Sequence, residues 1–422
     1  MACPRYRRSF LGEAYLAWEK RTFSALLHYS HQIPPKTLDL QRHMSSQETL
    51  YNQPVVLDNG SGIIKAGFSG EEKPKCFEYS LIGTTKYNKV MAGGLEGDTF
   101  IGNQAQELRG LLKLRYPLQH GIVTNWADME QVWGYVFNKS LQLQNVEDHP
   151  ILVTEAPLNP HKNREKMCEL LFESFNVPAL YVSVQAVLSL YASGRTTGCV
   201  VDCGDGCCHA VPVFDGFSVP SSIRRIDIAG RDITEFLQLL LRKTTGVSLL
   251  SSSEREIVRT IKEKACFVTK DPKLEEQNFP MNPSFSKFKL PDGKTIELGQ
   301  ERYRAPEILF QPELIGSEFE SLPDMCYQSI GKVDLDLRSL LFSNILLSGG
   351  TSMLPGFGDR LLKELKKLSD SRTKIKIFAP PERKYSTWIG GSILSGLSTF
   401  KKLWVTKSEW EEFPDCIHSR FM

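Results

Sequence analysis

No stretch of this 422-residue sequence stays apolar over the length that a bilayer crossing requires, so no direct membrane insertion is expected. Charge of one sign is not in excess either. Lys and Arg number 51 against 49 Asp and Glu, and no basic stripe interleaves with aromatics, which argues against nucleic acid as a partner. The ten cysteines stand singly apart from a group near 203–208, which gives no disulfide framework. A reducing cytosolic or nuclear setting is expected from that usage. Two common nucleotide motifs are missing as well. There is no G-x-x-x-x-G-K-[ST], so a P-loop enzyme is excluded. The dinucleotide fingerprint would need glycine at 65 or 209, where Lys65 and His209 stand.

What is present is organised around two short stretches that resemble each other. Val55-Val56-Leu57-Asp58-Asn59-Gly60-Ser61-Gly62-Ile63-Ile64-Lys65 is the first, and Cys199-Val200-Val201-Asp202-Cys203-Gly204-Asp205-Gly206-Cys207-Cys208-His209 is the second. Each reads as a buried strand, an Asp, a Gly-x-Gly turn and a second apolar run. Glycines flanking one residue leave backbone N–H groups unscreened, which makes such a turn an anion cradle. The Asp at the strand end adds a hard oxygen ligand where a phosphate-bound Mg²⁺ would sit. Two facing copies could grip one nucleotide's phosphates from both sides. The plainer alternative is two ordinary strand–turn–strand hairpins, since D-x-G is frequent in turns.

Apolar residues at 41% and a length of 422 allow two domains with sizeable cores. Residues 1–43 differ from the rest, with seven Lys/Arg against three acids. They weakly resemble a mitochondrial targeting peptide, but Met44-Ser45-Ser46-Gln47-Glu48 looks like a natural start. The extension, 1–50, is expected to be disordered or outside the working protein. Beyond it, 66–80 should complete a strand pair, 81–106 a mobile Gly-rich loop and 126–141 a helix. A strand at 150–154 should precede a helix reaching Phe175, and 181–193 should be a helix leading into the second hairpin. Helices are expected at 232–242 and 252–267, the latter capped by the serines before Glu254. A loop at 271–289, a hairpin turn at 290–294, a strand at 344–347 and a helix at 358–368 follow. The last elements are a strand at 375–377 and a helix opening at Gly390. Strands and helices alternate in both halves, which argues α/β.

Several longer motifs carry a family likeness. Tyr116-Pro117…His120-Gly121-Ile122-Val123, Thr154-Glu155-Ala156-Pro157-Leu158-Asn159-Pro160, Ala192-Ser193-Gly194-Arg195-Thr196-Thr197-Gly198, Ala229-Gly230-Arg231-Asp232, Leu347-Ser348-Gly349-Gly350 and Trp388-Ile389-Gly390-Gly391-Ser392 resemble actin, as does Asp58-Asn59-Gly60-Ser61-Gly62. The likeness runs from about Pro54 to His418. Met91-Ala92-Gly93…Leu95-Glu96-Gly97-Asp98 and Thr399-Phe400-Lys401-Lys402-Leu403-Trp404-Val405 are similar to the actin-related proteins of the dynactin minifilament. Cys203 and Cys208 depart from the family, which usually has small hydroxyl residues there, and Cys416–Met422 ends differently.

The resemblance implies a two-lobed actin-like ATPase fold of the α/β class, each lobe a mixed sheet flanked by helices, with ATP in the cleft between. Its domains would be a first-lobe core at 51–79, 117–192 and 386–422, with a small subdomain at 80–116 carrying an assembly loop. The second-lobe core would take 193–228 and 318–385, with a small subdomain at 229–317. Asp58 and Asp202 would hold Mg²⁺ through waters. Gly60, Ser61, Gly62 and Lys65 would meet the phosphates from one side, with Gly204, Asp205 and Gly206 opposite. Gly349, Gly350 and Thr351 would take the α-phosphate and sugar side, and Arg259, Lys262, Glu263 and Lys384 the adenosine. Gln185 and His209, with Asp202, would order the attacking water. His120 matches a histidine that the family often methylates. The group of Cys199, Cys203, Cys207, Cys208 and His209 invites zinc, but its spacing matches no usual zinc knuckle.

The function implied is a cytoplasmic, cytoskeletal filament subunit with slow ATP hydrolysis, supporting dynein-driven microtubule transport. Expected partners are further copies of itself in a short filament, dynactin subunits, end-capping proteins and dynein adaptors. Val90, Met91 and Leu95 in one loop, and the apolar residues of 310–316 in another, are the expected assembly surfaces. Conventional actin and a sugar-kinase-like phosphotransferase are the alternatives. The second would need a carboxylate base beside a small-molecule pocket, and no motif supplies one.

Overall fold

A computed structural model describes residues 52–87, 97–281 and 284–421. The expected disordered extension and the centre of the assembly loop, with Val90, Met91 and Leu95, lie outside the described residues. Two six-stranded sheets dominate the molecule. The first runs in the order Val405–Thr406, Ala179–Val184, Ile151–Glu155, Val55–Asp58, Ile63–Phe68, Cys76–Tyr79. The second runs Phe217–Ser218, Cys208–Phe214, Gly198–Cys203, Ile345–Ser348, Ile377–Phe378, with Arg224–Ile226 beside Cys208–Phe214. The two copied motifs therefore stand in different sheets.

Each copy occupies the same place in its sheet. Val55–Asp58 pairs antiparallel with the strand that follows its turn and parallel with Ile151–Glu155. Gly198–Cys203 pairs antiparallel with Cys208–Phe214 and parallel with Ile345–Ser348. These central strands are buried throughout, which is why they read as continuous apolar runs and not as alternating ones. Each sheet has its own core, one around Trp133, Phe137 and Phe172, the other around Phe357, Ile308 and Met325.

A third cluster joins the lobes. Helices Gln185–Ala192 and Ser386–Ser395 pack on each other between the sheets, burying Leu188, Leu190, Trp388 and Leu394 against Val56, Leu152, Val200 and Leu346. The contact is close enough that a side chain on Gly390 would lie 1.8 Å from the Leu188 carbonyl oxygen. Trp388 Nε1 donates to the Val56 carbonyl at 3.0 Å. The chain passes from one sheet to the other through these two helices, so their packing sets how the sheets face each other.

Several local expectations are corrected. Residues 81–106 are not one loop: Ile82–Thr85 and Thr99–Ile101 are strands of a three-stranded sheet with Leu112–Arg115, and Gly102–Glu107 is helical. Phe100 buries against Leu81, Leu112 and Leu114, an apolar set too dispersed in sequence to read as a core. The helix expected at 181–193 divides into the strand Ala179–Val184 and the helix Gln185–Ala192. An apolar run suits either conformation, and a parallel partner at Ile151–Glu155 decides for strand. The expected loop 271–289 holds the helix Pro272–Asn278, capped by the Asp271 side chain, and the strand Ser286–Lys289. The helix expected to open at Gly390 starts at Ser386 and ends at Ser395, and two further helices, Lys407–Glu412 and Cys416–Arg420, follow it. Helices Leu322–Gly331 and Leu335–Phe342 fall where no element was expected.

Candidate functional site

The turns of the two hairpins meet across a cleft. A side chain on Gly62 would lie 2.9 Å from Asp205 Cβ, and one on Gly206 would lie 2.4 Å from Ser61 Oγ. Only glycine at these positions lets the turns approach so closely. Behind them opens a cavity of about 380 Å³, within the range of small-ligand sites. Every residue assigned above to the nucleotide or to hydrolysis lies on its wall: Asp58, Gly60, Ser61, Gly62 and Lys65 on one side, Asp202, Gly204, Asp205, Gly206 and His209 on the other. Gln185, Arg259, Lys262, Glu263, Gly349, Gly350, Thr351 and Lys384 complete it.

Asp58 is buried and held from three directions. Lys65 Nζ donates to its Oδ2 at 2.5 Å, Thr154 Oγ1 to its Oδ1 at 2.7 Å, and Gln185 Nε2 to Oδ1 at 3.3 Å. Asp202 has one such partner, Ser348 Oγ at 2.9 Å. Burial drives the Asp202 carboxyl up to about 6; the Ser348 hydroxyl and Lys65 oppose the rise, and the Asp58 charge adds to it. A buried carboxylate so disfavoured gains from a cation beside it. The arrangement repeats between the lobes, because Thr154 is the penultimate residue and Ser348 the last of the strand parallel to the Asp-bearing one. Sequence reasoning missed both hydroxyls as site residues. Their signal was present, since each follows an apolar run inside a quoted motif.

Arg231 is the larger omission. Its guanidinium donates to the Ser61 carbonyl at 3.2 Å, the Leu118 carbonyl at 3.3 Å and Asp205 Oδ2 at 3.3 Å, and lies over the Tyr116 ring at 4.8 Å. One side chain thus ties the second turn to the first lobe. Burial pushes the Asp205 carboxyl up, but the charges of Lys262, Arg231 and Arg259 outweigh it and hold Asp205 below the usual carboxylate range. Lys262 Nζ donates to the Gly230 carbonyl at 2.5 Å. Thr351 Oγ1 donates to the Gly204 carbonyl at 2.6 Å, fixing the second turn from behind. Gly349 has φ +86°, and a side chain there would lie 2.2 Å from the Cys203 carbonyl oxygen. That close approach requires glycine.

Helix Ser252–Ala265 presents Arg259, Lys262 and Glu263 to the cavity. It begins with a capping box in which Glu254 N–H donates to Ser251 Oγ at 3.2 Å and Ser251 N–H to Glu254 Oε2 at 2.8 Å, as the serine run suggested. Arg259 pairs with Glu256 at 3.0 Å and lies over the Tyr79 ring at 4.4 Å. His209 is buried on the cavity wall. Burial first, and the Arg225 charge second, lower it to about 3, so its imidazole is neutral. Neither of its ring nitrogens has a hydrogen-bond partner among the described residues. His120 Nδ1 lies 2.8 Å from the Gly206 carbonyl and donates to it. The zinc alternative gains nothing: among the described residues no group of three or more His, Cys, Asp or Glu is arranged to hold a metal ion.

Two facing Asp–Gly-x-Gly hairpins on equivalent strands of two sheets, with a helix pair between, match the architecture expected from the motifs. A family model described as Actin matches residues 49–422. The chain belongs to the actin family. Centractin of Saccharomyces cerevisiae is 64% identical over 381 residues, covering 90% of this chain and 99% of the relative. An actin-like protein of Neurospora crassa is 58% identical over 379 residues, 89% of this chain and 99% of the relative. The family's fold is two-lobed α/β, as described above, and the chain is an actin-related protein by this likeness. Among the described residues no helix is long and apolar enough to cross a membrane.

Proposed function

We propose that this protein is an ATP-binding filament subunit, the counterpart of centractin in a dynactin-type complex that supports dynein-driven transport in the cytoplasm. The nucleotide reading rests on one observation: the two hairpin turns confront each other with Asp58 and Asp202 at the base of one cavity. The residues there fit Mg-ATP. The turns around Ser61 and Asp205 offer backbone N–H groups to phosphate, and Lys65 offers a compact positive charge. Asp58 and Asp202 suit a cation held through waters, and the Arg259–Lys262–Glu263 face of its helix suits the adenosine side. Bound Mg-ATP supplies a phosphoanhydride whose hydrolysis changes the charge within the cleft.

Gln185 and His209 supply positioning, not strong base chemistry, which is what phosphoryl transfer needs. The Gln185 amide N–H₂ is engaged with Asp58 and Thr154, which leaves its carbonyl oxygen to accept from a water. Neutral His209 has two nitrogens without a hydrogen-bond partner among the described residues beside that space. Hydrolysis on such terms is slow, in keeping with a primarily structural protein. A sugar-kinase-like activity is disfavoured because the wall carboxylates are engaged: Asp58 by Lys65, Glu155 by Arg164, Asp205 by Arg231, Asp202 by Ser348, and Glu263, on the adenosine side, by Arg259 at 3.8 Å.

The minifilament reading rests on the likeness to centractin over nearly its whole length. It includes self-association into a short filament, dynactin subunits, end-capping proteins and dynein adaptors as partners. The domain bounds given above are part of the same proposal. Heat-released nucleotide from purified protein should amount to about one ATP or ADP per chain, and negative-stain microscopy with Mg-ATP should show short rods. Nucleotide-free protein that still folds would overturn the first part. Long treadmilling filaments would point to conventional actin behaviour instead.

A further inference from the structure

The cysteines of the second hairpin have no part in the nucleotide reading. Cys203 ends one strand, Cys208 begins the next, and the two are register partners across the hairpin. The Gly204 N–H donates to the Cys207 carbonyl at 3.1 Å. Residues 204 and 207 therefore form the hydrogen-bonded pair, and 203 with 208, one step further, is a non-hydrogen-bonded pair. In such pairs the Cα atoms lie about 4.5 Å apart and the side chains close on one another on the same face. A disulfide spans Cα separations of about 4.4–6.8 Å. Cys207 points to the opposite face and lines the cavity, so it is no competitor for either sulfur.

We propose that Cys203 and Cys208 are a dithiol that a peroxide oxidises to a reversible disulfide across the stem of the Gly204-Asp205-Gly206 turn. The balance is complete with the peroxide as oxidant. One thiol sulfur displaces water from the O–O bond and becomes a sulfenic acid; the second sulfur attacks it, the S–S bond forms, and a second water leaves. Two thiols and one peroxide give one disulfide and two waters, and a small thiol reverses the bond.

Access and protonation both limit this step. The two sulfurs are without solvent exposure and lie in the second lobe's core with Ile226, Ile228 and Ile233, on the face turned away from the cleft, and burial raises both thiols above their ordinary range. Oxidation therefore proceeds through local opening of the hairpin and is slow beside that of an exposed thiol.

The test uses the full chain, stripped of nucleotide and treated with hydrogen peroxide, then digested without reduction. We expect a peptide joining Cys203 to Cys208, about 2 Da lighter than its reduced form and restored by dithiothreitol. Cys207→Ser should still form it and Cys208→Ser should not, with Cys203→Ser as the second variant should Cys208→Ser fail to fold. Cys203 and Cys208 remaining thiols while other cysteines oxidise, or a bond made through Cys207, would overturn the pair.

Discussion

His209 faces the cavity with 1% of its surface exposed and with no partner for either ring nitrogen among the described residues. Its folded value of about 3 lies below the ordinary 6.5, so the unfolded chain takes up a proton that the folded one refuses. The stability due to this group is therefore present above pH 6.5 and is lost as pH falls from there towards 3. Each pH unit inside that window costs about 1.4 kcal/mol per proton. Urea unfolding of His209→Gln should show a shallower loss between pH 6.5 and 5 than the unaltered chain; equal slopes would mean the imidazole is not buried neutral. Asp58 and Asp202 make a second test at this scale. A ligand that binds only the folded state at a hundred times its Kd adds about 2.7 kcal/mol. Asp58→Ala and Asp202→Ala should each lose most of the thermal shift given by Mg-ATP, and a shift retained in both variants would refute the cation assignment. Gln185→Ala should slow single-turnover phosphate release about tenfold or more with nucleotide affinity nearly intact. Equal losses in both would make Gln185 a structural residue that merely braces Asp58.

Between elements, the far end of the cleft is closed by a latch. Tyr116 donates its hydroxyl to the Glu256 carboxylate, Leu114 N–H donates to Ser252 Oγ at 3.2 Å, and Lys86 Nζ reaches Ser253 Oγ at 3.3 Å. The strand Leu112–Arg115 thus meets the first turn of the helix Ser252–Ala265 across the opening. A hydrogen bond to a charged group contributes about 1.5 kcal/mol or more. Tyr116→Phe should speed release of a fluorescent ATP analogue about tenfold, and an unchanged rate would place the barrier elsewhere, at the packed helix pair. This latch shows why some of the site was legible in the sequence and some was not. Asp58, Lys65, Asp202 and the glycines sit inside contiguous strand–turn–strand runs, where one local pattern carries both conformation and chemistry. Tyr116 and Glu256 are 140 residues apart, and Ser348 lies 146 from Asp202. No local pattern announces such pairings. The same limit explains residues 181–184, read as helix but part of the strand Ala179–Val184, whose conformation is set by Ile151–Glu155 beside it.

At the scale of the whole molecule, the surface around residues 310–316 is built in two parts. Phe310 is an anchor, 7% exposed, with its ring under the Arg360 guanidinium at 4.6 Å and against Phe357. Arg360 is in turn clamped by Glu307 at 2.8 Å and Glu364 at 2.9 Å, so the base of the loop is rigid. Beyond it Leu314 and Ile315 stand 47% and 38% exposed on the short helical turn Pro312–Ile315, ended by Gly316 at φ +71°. Two apolar side chains held outward on a stiff base are poorly suited to water and well suited to insertion between neighbouring copies. A copy that buries this tip in a different patch of its neighbour makes a heterologous contact, which leaves open ends and propagates until capped. Replacing both with Asp puts two charges where a dry contact would form, while the Phe310–Arg360 base stays intact and the nucleotide cavity is untouched. Leu314→Asp with Ile315→Asp should therefore sediment as a monomer in Mg-ATP, with its nucleotide content and thermal shift preserved, under conditions where the unaltered chain forms short rods. Rods of ordinary length from that double variant would show that the tip packs on its own subunit and that assembly runs through other surfaces.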